Sequence, residues 1–92
     1  MKIRILKSFT DKFKRQLQYI SADKPIAAKK FRTNVISEIK KIQHFPYKHR
    51  QSIFFEEESI RDLIFKGYII VYRIKDTEIE VFGFVKYEEF LK

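Results

Sequence analysis

Apolar and polar positions alternate at the start of the chain. Lys2-Ile3-Arg4-Ile5-Leu6 sets β-branched residues two apart between cations, which predicts a strand with one buried face. The period then lengthens. Phe9, Phe13, Leu17 and Ile20 recur at spacings of four, four and three, one stripe of an amphipathic helix, with Asp11, Lys12, Lys14, Arg15, Gln16 and Gln18 on the remainder. Ser8 stands three residues before Asp11, a capping-box spacing that predicts where this helix starts. Ser21-Ala22-Asp23-Lys24-Pro25 interrupts the pattern. Proline is tolerated in a first helical turn, where its missing N–H would have no partner, and Asp23 is placed to cap the free amides ahead of it. Ala28, Phe31, Val35, Ile39 and Ile42 then mark a second helix, with Lys29, Lys30, Arg32, Lys40 and Lys41 on its outer face. Pro46 ends it, because the residue before a proline is pushed out of the α region. So short a connection between two helices implies an antiparallel hairpin.

Residues 44–58 show no helical period, and Ser52-Ile53-Phe54-Phe55 reads as an extended segment lying on the core. The last third is β-rich. Ser59 to Phe65 runs to a Lys66-Gly67 turn, Tyr68 to Ile74 is β-branched and aromatic, and Lys75-Asp76-Thr77 leads into the alternating run Glu78 to Val85. Two consecutive hairpins make a meander. Lys86 to Lys92 reads equally as a short helix or as a return to the sheet edge. The expected order is strand-helix-helix-strand-strand-strand, an α+β fold in which the helical hairpin covers one face of a small antiparallel sheet.

A length of 92 residues fits one domain, residues 1–92. Ten Phe and five Tyr are too much apolar surface for a disordered polyelectrolyte, and the absence of Cys excludes a disulfide framework or a thiol nucleophile. No apolar run approaches the roughly twenty residues of a membrane span, and the charge-threaded start is unlike a signal peptide. A cytoplasmic protein without membrane contact is the expectation. The net charge of +8 is uneven: residues 1–50 hold fourteen basic and three acidic side chains, whereas the remainder is net acidic. A basic front half suits a polyanion or an acidic protein.

Conventional catalytic signatures are scarce. His44 and His49 flank Pro46 without the spacing of a metal site, two isolated glycines cannot cradle a phosphate, and no serine sits in a nucleophile elbow. Neither a metal nor a cofactor is expected. What remains is a set of basic and aromatic residues, Lys48, Arg50, Arg61, Arg73, Lys86 and Tyr87. Such a set suits metal-independent RNA cleavage, in which a base takes the 2′-OH proton, cations hold the phosphate and an acid protonates the leaving oxygen. On composition alone the plainer reading of each is an ordinary surface cation or a sheet-edge aromatic.

Four elements in order carry a family resemblance: Phe13 running to Tyr19-Ile20; Pro25-Ile26-Ala27-Ala28-Lys29-Lys30-Phe31; Ile39 and Ile42 leading to Phe45-Pro46 and Lys48-His49-Arg50; and Ile60-Arg61-Asp62-Leu63 followed by Gly67 to Ile74. From about Ile3 to Val85 the chain resembles the RelE/ParE superfamily of type II toxin–antitoxin toxins, on its ParE-like, plasmid-stabilisation branch. The resemblance implies two helices on a sheet and a growth-inhibiting toxin silenced by a cognate acidic antitoxin. It implies one of two targets: DNA gyrase, blocked without a catalytic residue, or mRNA on the ribosome, cut by an endoribonuclease. Lys48, Arg50, Arg61 and Arg73 would contact the target or its phosphates. In the nuclease version Lys86, Tyr87 and Arg61 would be catalytic. Where many relatives carry His followed by arginines, this chain has Lys86-Tyr87-Glu88-Glu89, whose carboxylates would repel a phosphate, and this departure favours the gyrase version. Arg61 also has a structural alternative, a hydrogen bond to the chain between the second helix and the sheet.

Overall fold

The computed structural model describes residues 1–87. Its elements are β1 (Lys2–Ile5), α1 (Lys7–Asp23), α2 (Pro25–Lys41), β2 (Arg50–Gln51), β3 (Ile60–Phe65), β4 (Tyr68–Ile74) and β5 (Glu78–Lys86). The strands form one sheet in the order β1-β5-β4-β3-β2. The expected meander is present. Lys66 and Gly67 close its first hairpin with φ of 47° and 84°, the positive values a two-residue type I′ turn requires.

The α+β class and the element order match the sequence expectation, and the sheet refines it in two respects. First, it is mixed, because β1 lies parallel to β5 with Lys2 opposite Glu78 and Ile5 opposite Val81. The helical hairpin and the meander intervene between these strands, so no tight turn forces them antiparallel. Second, β2 adds an edge, Arg50 opposite Asp62 and Gln51 opposite Arg61. Two residues are too few to show a period. The segment expected to be extended, 52–55, instead bends: Ser52 N–H donates to the Ile60 carbonyl at 2.8 Å and Phe54 N–H to Ser52 Oγ at 3.1 Å.

Neither expected cap forms. Leu6 occupies the N-cap of α1, and Ser8 Oγ donates to the Phe82 carbonyl at 2.7 Å, fastening the helix to β5. Asp23 is the last residue of α1, and Lys24 alone separates the two helices, which leaves no place for an aspartate cap.

The helices cover one face of the sheet. Phe9 and Phe13 of α1, with Val35 and Ile39 of α2 and Ile42 just beyond it, meet Leu63, Ile70, Tyr72, Ile79, Val81 and Phe84. The Phe13 ring stands edge-on to Phe84 at 5.5 Å, and Phe31 joins from α2 at 6.0 Å. On the other face a smaller cluster, Ile60, Ile69 and Val71, lies beneath Phe54, Phe82 and Val85. The register shifts between Val71 and Tyr72: Val71 opposes Gly83, while Tyr72 opposes Val81. A Cβ on Gly83 would lie 2.9 Å from that of Val71, so this position excludes a side chain. No helix of the described residues is long and apolar enough to cross a membrane.

Candidate functional site

The six residues singled out from the sequence fall into three places. Lys48, Arg50 and Arg61 lie where the chain leaves α2 and enters the sheet. Arg61 opposes Tyr72, and its side chain is only 13% exposed. Its Nε donates to the Glu58 carbonyl at 2.7 Å and its Nη1 to the His49 carbonyl at 3.2 Å. The guanidinium carbon also lies 4.8 Å from the centre of the Tyr47 ring. One arginine therefore ties together both limbs of the segment between α2 and β3. This is the hydrogen bond to that segment anticipated as its structural alternative.

Arg50 Nη2 reaches Asp62 Oδ2 at 3.3 Å. Asp62 is buried, and the same oxygen accepts the Ile53 N–H at 3.0 Å, while its Oδ1 has no hydrogen-bond partner among the described residues. Lys48 is exposed, and its N–H closes a turn onto the Phe45 carbonyl at 3.1 Å.

Beneath this loop lies a residue that sequence reasoning counted only as a strand aromatic. Tyr72 is fully buried, and its hydroxyl donates to the Pro46 carbonyl at 2.5 Å. Burial pushes the phenol far above its usual range, a shift opposed by Arg61 and reinforced by Asp62, so it stays protonated as a donor. The His49 ring stands edge-on to Tyr72 at 6.2 Å. Burial, then the charge of Lys48, holds His49 below its ordinary value, with Glu38 acting weakly the other way.

Arg73 is on the face of the sheet away from the helices. Its Nη1 lies 3.6 Å from Glu80 Oε1, and its guanidinium sits over the Phe82 ring at 5.1 Å. Glu80 is largely buried and also neighbours Arg4 at 3.6 Å and Lys75 at 3.5 Å. Three cations thus share one carboxylate.

Lys86 and Tyr87 are at the far end of β5. Lys86 opposes Tyr68, and its Nζ is 5.8 Å from the Tyr19 ring centre. It shares a cleft of about 430 Å³ with Lys12, Arg15 and Gln16 of α1. Because β1 ends at Ile5, the second half of β5 has α1 beside it in place of a strand. The sequence signal was available: positions 12, 15, 16 and 19 share one helix face, although Lys12, Arg15 and Gln16 read simply as the solvated remainder of α1. Tyr87 N–H donates to the Gly67 carbonyl at 2.8 Å. Glu88 and Glu89, whose repulsion entered the sequence argument, lie outside the described residues.

These groups do not converge. Arg61 and Lys86 oppose β4 residues four positions apart, about 13 Å along a strand, and lie on strands either side of it. Arg73 projects from the opposite face. The arrangement offers a braced, cation-rimmed loop at one end of the sheet, a shared-carboxylate cluster on the open face and a basic cleft at the other end.

Over residues 3–88 the chain matches the family described as the ParE toxin of the type II toxin–antitoxin system parDE. Among solved structures it is similar to one described as the chromosomal ParDE TA system from P. aeruginosa, with a TM-score of 0.77, 15% identity and coverage of 94% of this chain and 95% of that one. At that identity the likeness speaks for the fold. No curated protein matches the sequence. The family match takes in both helices and all of the sheet but Lys2, and the chain belongs to the ParE toxins of type II toxin–antitoxin systems.

Proposed function

We propose that this toxin acts by ParE-like inhibition of DNA gyrase, without a catalytic residue, and is neutralised by a cognate acidic antitoxin. The carrying observation is the separation of Arg61 from Lys86 and Tyr87. General acid–base cleavage of RNA needs a base, an acid and phosphate-binding cations around one scissile bond, within hydrogen-bond reach of it. Here Arg61 is occupied by two backbone carbonyls at the opposite end of β4 from Lys86. A binding mechanism has no such requirement, because a poison needs only a complementary surface. The +8 charge supports the antitoxin reading, since a disordered acidic segment can fold along a basic surface and cover a large area.

The test is induction of the chain without its antitoxin, followed within minutes by assays of plasmid supercoiling, DNA breaks and mRNA integrity. Gyrase-dependent breaks with intact mRNA are expected. Ribosome-dependent cuts within codons, abolished by Tyr87→Phe, would establish the endoribonuclease reading instead. Lys48, Arg50, Arg61 and Arg73 would then be the phosphate contacts.

A further inference from the structure

Phe45 and Tyr47 are 70% and 54% exposed, two large aromatic rings in water only two residues apart. The loop that carries them is held from beneath. Tyr72 anchors the Pro46 carbonyl, the Lys48 N–H closes the turn onto Phe45, and Arg61 both stacks on Tyr47 and binds the His49 carbonyl. Folding does not need these two rings outside, yet the protein uses a buried hydroxyl and a nearly buried guanidinium to hold the loop that presents them. A rigid aromatic tip loses little conformational entropy on binding, which characterises an interface anchor.

The rim supplies the chemistry of the partner. Lys41, His44 and Lys48 are exposed beside Phe45, and the carboxylate of Glu38 in the same hollow is engaged by Lys41 at 2.8 Å. A single-stranded nucleic acid would require open ring faces and a groove that follows its backbone. Here the guanidinium of Arg61 covers one face of Tyr47, and the rings stand on a short exposed turn.

We propose that the Phe45–Lys48 turn is the docking knuckle of the toxin, which inserts its two rings into an apolar hollow edged with carboxylates on the target protein. The proposal rests on the reading that the target is a protein, and it adds the surface and the anchors to that reading.

The experiment compares the wild type with Phe45→Ser/Tyr47→Ser and with Lys48→Glu. Growth arrest, binding to purified gyrase and binding to a single-stranded oligonucleotide are measured for each, with melting temperature as the control for folding. Both rings are exposed, so melting should be unchanged. The double variant should lose at least about thirtyfold in gyrase affinity, together with growth arrest. Lys48→Glu should lose less, mostly in association rate. Tyr72→Phe, which keeps the rings and frees the loop, should give an intermediate loss.

A double variant that arrests growth as the wild type does overturns the knuckle, whatever the target. A loss of oligonucleotide binding that accounts for lost toxicity overturns the protein partner. If the wild type arrests growth without binding gyrase and the double variant does not arrest it, the gyrase reading falls while the knuckle stands, docked on another protein. A wild type that neither arrests growth nor binds gyrase overturns both.

Discussion

Beneath the helices the sheet presents Leu63, Ile70, Tyr72, Ile79, Val81 and Phe84, and an entire helical hairpin keeps water from them. On its other face Ile60, Ile69 and Val71 have only Phe54, Phe82 and Val85 for cover, and the same strands carry Asp62, Arg73 and Glu80 among them. The first face is held by area and shape. The second depends on particular partners: Asp62 for Arg50 and the Ile53 amide, Glu80 for three cations, Gly83 for the room that Val71 needs. Nonpolar burial tolerates repacking, whereas a buried carboxylate without its donors, or a Cβ where none fits, has no easy substitute. The comparison suggests that the helical face supplies most of the stability, while the open face relies on particular partners, of which Asp62 holds the segment between the helices and the sheet at Arg50 and Ile53.

The sharpest contrast is a single substitution made on both faces. Phe9→Ala should cost about 3–5 kcal/mol in urea unfolding, because a fully enclosed ring is lost from the helical core. Phe55→Ala should cost less than about 1 kcal/mol, since that ring is 40% exposed and meets Phe82 edge-on at 5.7 Å. Equal costs would break the distinction.

Asp62→Ala should cost about 2–3 kcal/mol, and hydrogen exchange should quicken first at Ile53 and its neighbours, whose acceptor is removed. Uniform exchange across the sheet would mean that Asp62 stabilises the fold generally and not this segment. Gly83→Ala should cost about 1–2 kcal/mol, with NMR shifts centred on Val71. A neutral result would show that the bulge can relax.

The smallest effect is the pH dependence from His49. Its affinity for protons is lowered on folding, so the unfolded chain binds more protons just below the ordinary value of 6.5. Its contribution to stability is therefore full above pH 6.5 and declines as the pH falls below it. His49→Gln should flatten that part of the stability curve, and an unchanged slope would assign it to other groups.

The helical face was the more legible in the sequence. Phe9, Phe13, Val35 and Ile39 repeat with the helix period, and the alternation in β5 indicated which residues face inward. Residues 42–59 were opaque for a physical reason. Their conformation is set by contacts from distant residues, Tyr72 to Pro46 and Arg61 to His49, and no local period records such a contact. For the same cause the sequence selected the cations of the candidate site and not the rings: Arg61 is recognisable by type, but the outward position of Phe45 and Tyr47 exists only once Arg61 and Tyr72 are in place. The bulge at Gly83 and the parallel pairing of β1 were equally invisible, both being agreements between strands remote in the chain.

That parallel pairing bears on how the toxin is made. Lys2 to Ile5 pair with Glu78 to Val81, which follow them by 76 positions in the chain. Contacts between such distant residues incur loop-closure entropy before they return any stability, and they form late. A nascent or truncated chain can assemble its helical hairpin, but it cannot seat β1 or fasten Ser8 to Phe82 until β5 is present. The sheet therefore closes on its β1 side only after β5 has been made, and every earlier stage of the chain lacks the surface that β1 and β5 complete together.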